Sequence, residues 1–138
     1  MGGKQRLLMF LAGIGAVLVI LTTCSPRNEV KIDDESNNGQ VELQTGQTLV
    51  VSLQSNPSTG YTWEVAEVDD TLLQSQGEAE YKAGKSGGEQ LVGAGGTQTF
   101  RFTAAKVGET TLKLIYHRAW ETDVEPVQTF SVQVKINP

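Results

Sequence analysis

Large apolar side chains recur at every second position along most of this chain, and this alternation limits the fold more than any other feature. From residue 130 to residue 136 every second side chain is large and apolar, and residues 112–116 repeat the pattern. Side chains alternate between the two faces of a strand, whereas an amphipathic helix needs a period of 3.6. Strands are predicted at residues 47–54, 61–67, 97–104, 109–117 and 127–137. No stretch after Cys24 has a comparable helical period, so we expect an all-β sandwich of about seven or eight strands.

The size and charge of the chain exclude several classes of function. With 138 residues there is room for one domain, which we place at residues 40–138. Eleven Lys and Arg against sixteen Asp and Glu give a net charge of −5, and without a basic block no nucleic-acid partner is expected. One cysteine and one histidine leave neither an intramolecular disulfide nor a zinc-ligand cluster. We therefore expect no metal and no cofactor.

The N-terminus has the layout of an export signal. Lys4 and Arg6 precede an apolar run at residues 7–21, and Thr22, Thr23 and Cys24 follow the run. Fifteen residues of helix reach about 22 Å, short of a hydrocarbon core of about 30 Å, so a permanent spanning helix is not expected. The LTTC sequence resembles the lipobox of bacterial lipoproteins, although threonine replaces the usual small residue before the cysteine. The resemblance implies a signal peptide at residues 1–23, a lipid on Cys24, export, and attachment to a membrane of the cell envelope; the alternative is an ordinary cleaved signal.

A polar segment follows at residues 24–39. It contains Asp33, Asp34 and Glu35 in a row and only two aliphatic residues, so it is interpreted as a solvated tether. The short sequence EVKID within it, at residues 29–33, is an alternative candidate for an edge strand.

The connections between the predicted strands differ in length, and the long ones fall at alternate positions. We name three of them, in the strand lettering of immunoglobulin-like sandwiches, the B–C loop (residues 55–60), the D–E loop (82–96) and the F–G loop (118–126). The connection at residues 107–108 is a tight turn. Because successive strands reverse direction, every second connection lies at the same end of a sandwich. The three long loops are expected to form one binding edge, since loops that only connect strands are usually short.

Each long loop has a functional and a structural interpretation. In the B–C loop, Pro57 and Gly60 favour a stiff turn, which needs no further role. In the glycine-rich D–E loop, Leu91 and Val92 are expected either at an interface or folded back over the core. In the F–G loop, Trp120 follows the end of the strand alternation, so it is a better candidate for an exposed anchor than Trp63, which falls on a buried face.

Motifs in these loops resemble the chagasin-like inhibitors of papain-type cysteine peptidases. The sequences are NPSTGY at residues 56–61, GAGG at residues 93–96 and RAW at residues 118–120, in the family's order and at the family's connections. The resemblance implies an immunoglobulin-like sandwich that blocks the active-site cleft of a papain-like cysteine peptidase reversibly and without covalent chemistry. The implied contact residues are Asn56, Pro57, Ser58, Thr59, Gly60, Tyr61, Leu91, Val92, Gly93, Ala94, Gly95, Gly96, Arg118, Ala119 and Trp120.

The resemblance also implies a division of work among the loops. The B–C loop would cover the catalytic cysteine, the D–E loop the unprimed subsites, and the F–G loop the primed side. Ala119 stands where the family usually has proline, so weaker preorganisation of the F–G loop is expected. We do not expect an enzyme, because His117 is a strand residue and Cys24 lies in the lipobox. We also expect a monomer. The alternative is a lipid-anchored adhesion or binding module of the envelope that does not inhibit peptidases.

Overall fold

The computed structural model describes residues 28–86, 89–90 and 95–138 of the 138-residue chain. Within these ranges the secondary structure is β-strand with two short 3-10 turns, Asp34–Ser36 and Pro57–Thr59. The strands are β1 (Glu29–Asp33), β2 (Gln40–Gln44), β3 (Thr48–Ser55), β4 (Thr62–Glu67), β5 (Leu73–Ser75), β6 (Glu80–Ala83), β7 (Lys85–Ser86), β8 (Glu89–Gln90), β9 (Gly96–Ala104), β10 (Gly108–His117) and β11 (Gln128–Asn137). The prediction of an all-β fold is confirmed.

Two sheets form the sandwich, with nine strands between them in the described residues. One sheet has the order β1-β3-β9-β5, with β6 also pairing with β9, and the other has the order β2-β11-β10-β4. The short strands β7 and β8 pair only with each other. The count exceeds the seven or eight strands expected, because β1 and the short strands β5 and β6 extend one sheet beyond the alternating segments.

The core lies between the two sheets and is built by the predicted alternation. Strand β11 has a strict pattern in which Phe130, Val132, Val134 and Ile136 are buried and the residues between them are more exposed. Inward-facing residues of β2, β3, β4, β5, β9 and β10 belong to the same cluster. Burying a side chain of this size stabilises the fold by about 1.5–3 kcal/mol. Because one face of each strand is buried, the orientation of the strand is fixed, and so is the direction in which the following loop leaves the sheet.

The segment expected to be a tether is part of the sandwich from residue 29 onward. Strand β1 pairs in parallel with β3, from Glu29 opposite Thr48 to Asp33 opposite Ser52. Its two aliphatic residues, Val30 and Ile32, pack against the core. The chain then crosses to the other sheet, where the backbone N–H of Asn38 donates to the carbonyl of Ser131. The prediction of a solvated tether is therefore wrong for residues 29–39, and the alternative edge strand is observed at residues 29–33.

This pairing places the start of the described chain and the long loops at opposite ends of the sandwich. The N–H of Thr48, at the first residue of β3, donates to the carbonyl of Asn28. Strand β3 then runs the length of the sheet and leads into the B–C loop. In the described part of the chain there is no helix that is both long and apolar enough to cross a membrane. The predicted signal peptide at residues 1–23 and the predicted lipidation site, Cys24, lie outside the described residues.

Candidate functional site

The described residues of the three long loops lie at one end of the sandwich, where their positions in the sequence predicted them. Asn56 of the B–C loop lines one cleft together with Gly95 and Gly96 of the D–E loop. On the other side, the Trp120 ring of the F–G loop lies directly over Gly60. The B–C loop is therefore the centre of the edge, and the other two loops flank it. Leu91, Val92, Gly93 and Ala94 lie outside the described residues.

The B–C loop is held by hydrogen bonds within its own turn. Asn56 precedes the 3-10 turn, and its carbonyl accepts from the backbone N–H and the hydroxyl of Thr59, with distances of 3.2 and 2.6 Å. The Ser58 hydroxyl lies 2.5 Å from Asn56 Oδ1, to which it donates. The turn ends at Gly60, whose φ of +83° lies in the left-handed region that glycine adopts without strain. Its N–H donates to the carbonyl of Pro57.

Aromatic residues of the core also hold the B–C loop in place by hydrogen bonds. The hydroxyl of Tyr116, on a buried position of β10, accepts from the backbone N–H of Asn56 at 2.9 Å. The indole N–H of Trp63 donates to the carbonyl of Gln54 at 2.8 Å. Both anchors come from inward-facing aromatic residues, so the position of the loop depends on the packed core. Pro57, Ser58 and Thr59 project beyond it and are exposed.

Arg118 braces the B–C loop from the side. Its Nε donates to the carbonyl of Thr59 at 3.1 Å, and its guanidinium carbon lies 4.4 Å from the centroid of the Tyr61 ring. Glu121 holds the guanidinium on its other side, with Oε1 3.1 Å from Nη1. A cation over an aromatic face contributes about 0.5–1 kcal/mol at an exposed site. Arg118 therefore joins the F–G loop to the B–C loop.

Tyr61 belongs to a series of stacked rings that continues into the core. Its ring centroid is 5.4 Å from that of Tyr116, and the Tyr116 centroid is 5.0 Å from that of Trp63, with interplanar angles of 32° and 31°. Tyr61 is half-buried in this stack. Tyr61, one of the implied contact residues, therefore links Arg118 at the loop edge to the aromatic residues of the core.

The two described glycines of the GAGG motif differ in their surroundings. Gly95 is exposed, and its carbonyl accepts from the N–H of Gly84 at 3.1 Å. Gly96 begins β9, where a Cβ would come within 2.8 Å of the Ala83 Cα and would overlap the Lys82 carbonyl. Glycine at position 96 is therefore required for the close approach of β6 to β9.

Trp120 is the most exposed large apolar side chain among the described residues, at 68% of its surface. Trp63 is buried, at 4%. The structure thus separates the two tryptophans as the sequence predicted. Ala119 beside Trp120 is exposed, and Arg118 is half-buried by its contacts with Tyr61 and Thr59.

Sequence reasoning missed two residues that shape this edge. Glu121 orients Arg118, and an acidic residue three positions after an arginine was a local signal for the pair. Gln98 is buried between the sheets, where its amide accepts from the N–H of Trp63 and donates to the carbonyl of Trp63, both at 3.0 Å. Its position on the same face as Phe100 and Phe102 was the available signal.

His117 lies on the outer face of β10, where its Nε2 is 2.7 Å from Glu64 Oε2. Within the described ranges, no group of three or more His, Cys, Asp and Glu side chains has the arrangement of a metal site.

A sequence model of the chagasin family of peptidase inhibitors, I42, matches residues 42–134. The chain is 30% identical over 105 residues to amoebiasin-2 of Entamoeba histolytica, an alignment that covers 76% of this chain and 83% of that protein. It is 26% identical over 110 residues to chagasin of Trypanosoma cruzi, covering 78% of this chain and 97% of that protein. The crystal structure of a cysteine protease inhibitor from Entamoeba histolytica has the same fold, with a TM-score of 0.67 at 24% identity over 79% of this chain and 95% of that one.

Proposed function

The chain belongs to the chagasin family of peptidase inhibitors, and we propose that it inhibits papain-like cysteine peptidases by closing their active-site cleft with the three loops at one end of its sandwich. It is an inhibitor and not an enzyme. The observation that carries the cysteine-peptidase assignment is the B–C loop, a stiff and uncharged turn that projects from the centre of the edge with a loop on either side.

The B–C loop is suited to cover a catalytic cysteine without being cut. The carbonyls of Asn56, Pro57 and Thr59 already accept hydrogen bonds from within the inhibitor. The turn would have to lose these bonds to become an extended strand, so it presents a folded backbone to the thiolate. The side chains at its tip, Ser58 and Thr59, are exposed and would meet the peptidase first.

The flanking loops would then fill the cleft on both sides. We assign residues 91–94 of the D–E loop to the unprimed subsites, and Arg118 and Trp120 of the F–G loop to the primed side. A loop edge that is already held by hydrogen bonds and ring stacking loses little conformational entropy on binding. This favours tight binding, which we propose is reversible and non-covalent, through an interface of the standard size of about 1,600 Å².

The direct test is a titration of papain with the purified protein, with residual hydrolysis of a peptide substrate as the readout. We expect stoichiometric loss of activity at or below micromolar inhibitor, with no cleavage product of the inhibitor on a gel. Trypsin, a serine peptidase, is the control and should keep its activity. Full papain activity at micromolar inhibitor would refute the proposal and would favour the alternative, an envelope binding module without inhibition.

Trp120 provides a second test of the same edge. Trp120→Ala removes a mostly exposed ring, and we expect inhibition at least tenfold weaker, which corresponds to about 1.4 kcal/mol. Circular dichroism should be unchanged at 25 °C, since the ring is outside the core. Equal inhibition by the variant and the wild type would show that Trp120 does not contribute to the interface.

We propose further that the protein acts as a monomer on a membrane of the cell envelope, attached by a lipid on Cys24. The LTTC sequence after the apolar run supports this proposal. Mass spectrometry of the mature N-terminus tests it, and an unmodified Cys24 would refute it. Light scattering of the purified protein tests the monomeric state, and the molar mass of a dimer would refute it.

A further inference from the structure

The second half of the F–G loop and the residue after it carry apolar side chains that neither the core nor the family motif uses. In the described part of the chain five large apolar side chains are exposed, and three of them, Trp120, Val124 and Val127, lie between residues 118 and 127. Val124 is 56% exposed and Val127 is 55% exposed. We name Trp120, Val124 and Val127 the F–G ridge.

The two valines adjoin the edge described above. They line one small depression together with Tyr61 and Arg118, the pair that braces the B–C loop, and with His117, Glu121 and Glu125. Trp120 covers Gly60 on the same loop. The ridge is therefore continuous with the proposed peptidase contact and extends it beyond the RAW motif.

Backbone hydrogen bonds hold the chain on either side of Val124. The N–H of Val127 donates to the carbonyl of Tyr116 at 3.0 Å, and the N–H of Glu121 donates to the carbonyl of Arg118 at 3.0 Å. Valine is also stiff, because its branched Cβ leaves few rotamers. Exposed apolar groups that are already fixed lose little entropy when a partner covers them.

We infer that Val124 and Val127 are contact residues for the peptidase, and that they pack on an apolar patch of its surface beside the primed side of the cleft. This inference rests on the proposed function and adds a determinant of selectivity to it. A peptidase with a polar surface at this place would leave both valines in water and would bind more weakly. Exposed apolar groups continuous with an interface mark its extent better than single exposed residues do.

The chain offers a matched control for the test. Val107 is 57% exposed, almost the same as the two ridge valines, but it lies in the turn before β10 at the opposite end of the sandwich. The comparison uses Val124→Ser, Val127→Ser, the double variant and Val107→Ser in the full protein. Inhibition constants and dissociation rates are measured with papain and with cathepsin L.

We expect each ridge variant to weaken inhibition of at least one of the two peptidases about three- to tenfold, mainly through faster dissociation. Val107→Ser should stay within about twofold of the wild type. Unchanged inhibition of both peptidases by the double variant would overturn the inference while the wild type still inhibits. A change in oligomeric state instead of inhibition would also overturn it, because the ridge would then bind a second copy. Lack of inhibition by the wild type would refute the proposed function itself, and the inference with it.

Discussion

Replacing Gly60 with alanine tests whether the Trp120 ring rests on the B–C loop in solution. A residue with a Cβ costs about 1–2 kcal/mol in the left-handed region, where Gly60 lies with its φ of +83°. About 0.4–1 kcal/mol of this cost is offset, because alanine has less freedom than glycine in the unfolded chain. A Cβ at position 60 would also overlap Cη2 of the Trp120 ring. The ring must therefore leave the loop in the variant.

The cost of moving the ring follows from its burial. Trp120 is 68% exposed, so about 80 Å² of the roughly 250 Å² of a tryptophan side chain packs on the protein. At about 25 cal/mol per Å², losing this contact costs up to about 2 kcal/mol. With the net backbone strain, Gly60→Ala should lower the free energy of unfolding by about 1–3 kcal/mol, or the Tm by about 5–15 °C.

Gly46→Ala is the matched control, because Gly46 has a φ of +92° and no atom within 4 Å of the added Cβ. Urea unfolding of both variants should show about 0.5–1 kcal/mol of destabilisation for Gly46→Ala and a larger loss for Gly60→Ala. Only Gly60→Ala should weaken papain inhibition, by tenfold or more. Equal stability of the two variants, together with wild-type inhibition by Gly60→Ala, would refute the packing of Trp120 on Gly60.

Three further predictions concern other parts of the molecule. Gln98→Leu should lower the free energy of unfolding in urea by about 2–4 kcal/mol, because it leaves the N–H and carbonyl of Trp63 without a partner; a loss below about 1 kcal/mol would contradict this role. Ala119→Pro should tighten papain inhibition about two- to fivefold by restricting the unbound F–G loop, and weaker inhibition would show that the loop must change shape on binding. Hydrogen bonds from the side chain and backbone of Thr71 lower the pKa of Asp69. Its contribution to stability is therefore present above about pH 4 and is lost as the pH falls through the lowered pKa, so the stability difference between the wild type and Asp69→Asn should shrink in acid. A difference that stays constant through this range would contradict the assignment.

The main strands could be predicted from the sequence because burial on one face is a local pattern. The predicted strand at residues 47–54 is Thr48–Ser55 in the structure, and the predicted strand at 109–117 is Gly108–His117. The loop edge could also be predicted, because strand direction alternates and the long connections fall at every second position. These inferences need only the order of residues along the chain.

The features that could not be predicted depend on contacts between distant parts of the chain. Val30 and Ile32 made residues 29–33 a candidate for an edge strand, but nothing local identifies β3 as its partner. The stacking of Arg118 on Tyr61 requires residues 57 positions apart to meet, which follows only once the loops are adjacent. The role of Arg118 as a brace therefore came from the structure, while its presence in a contact loop came from the motif.

The parallel pairing of β1 with β3 has a mechanical consequence. A pull through the residues before Asn28 acts at the end of the sandwich that faces away from the loops, whereas a bound peptidase pulls at the loops. The two forces are directed along β1 and β3, so they load the register from Glu29 to Asp33 in shear. All the hydrogen bonds of that register then resist together, instead of opening one after another as in a zipper.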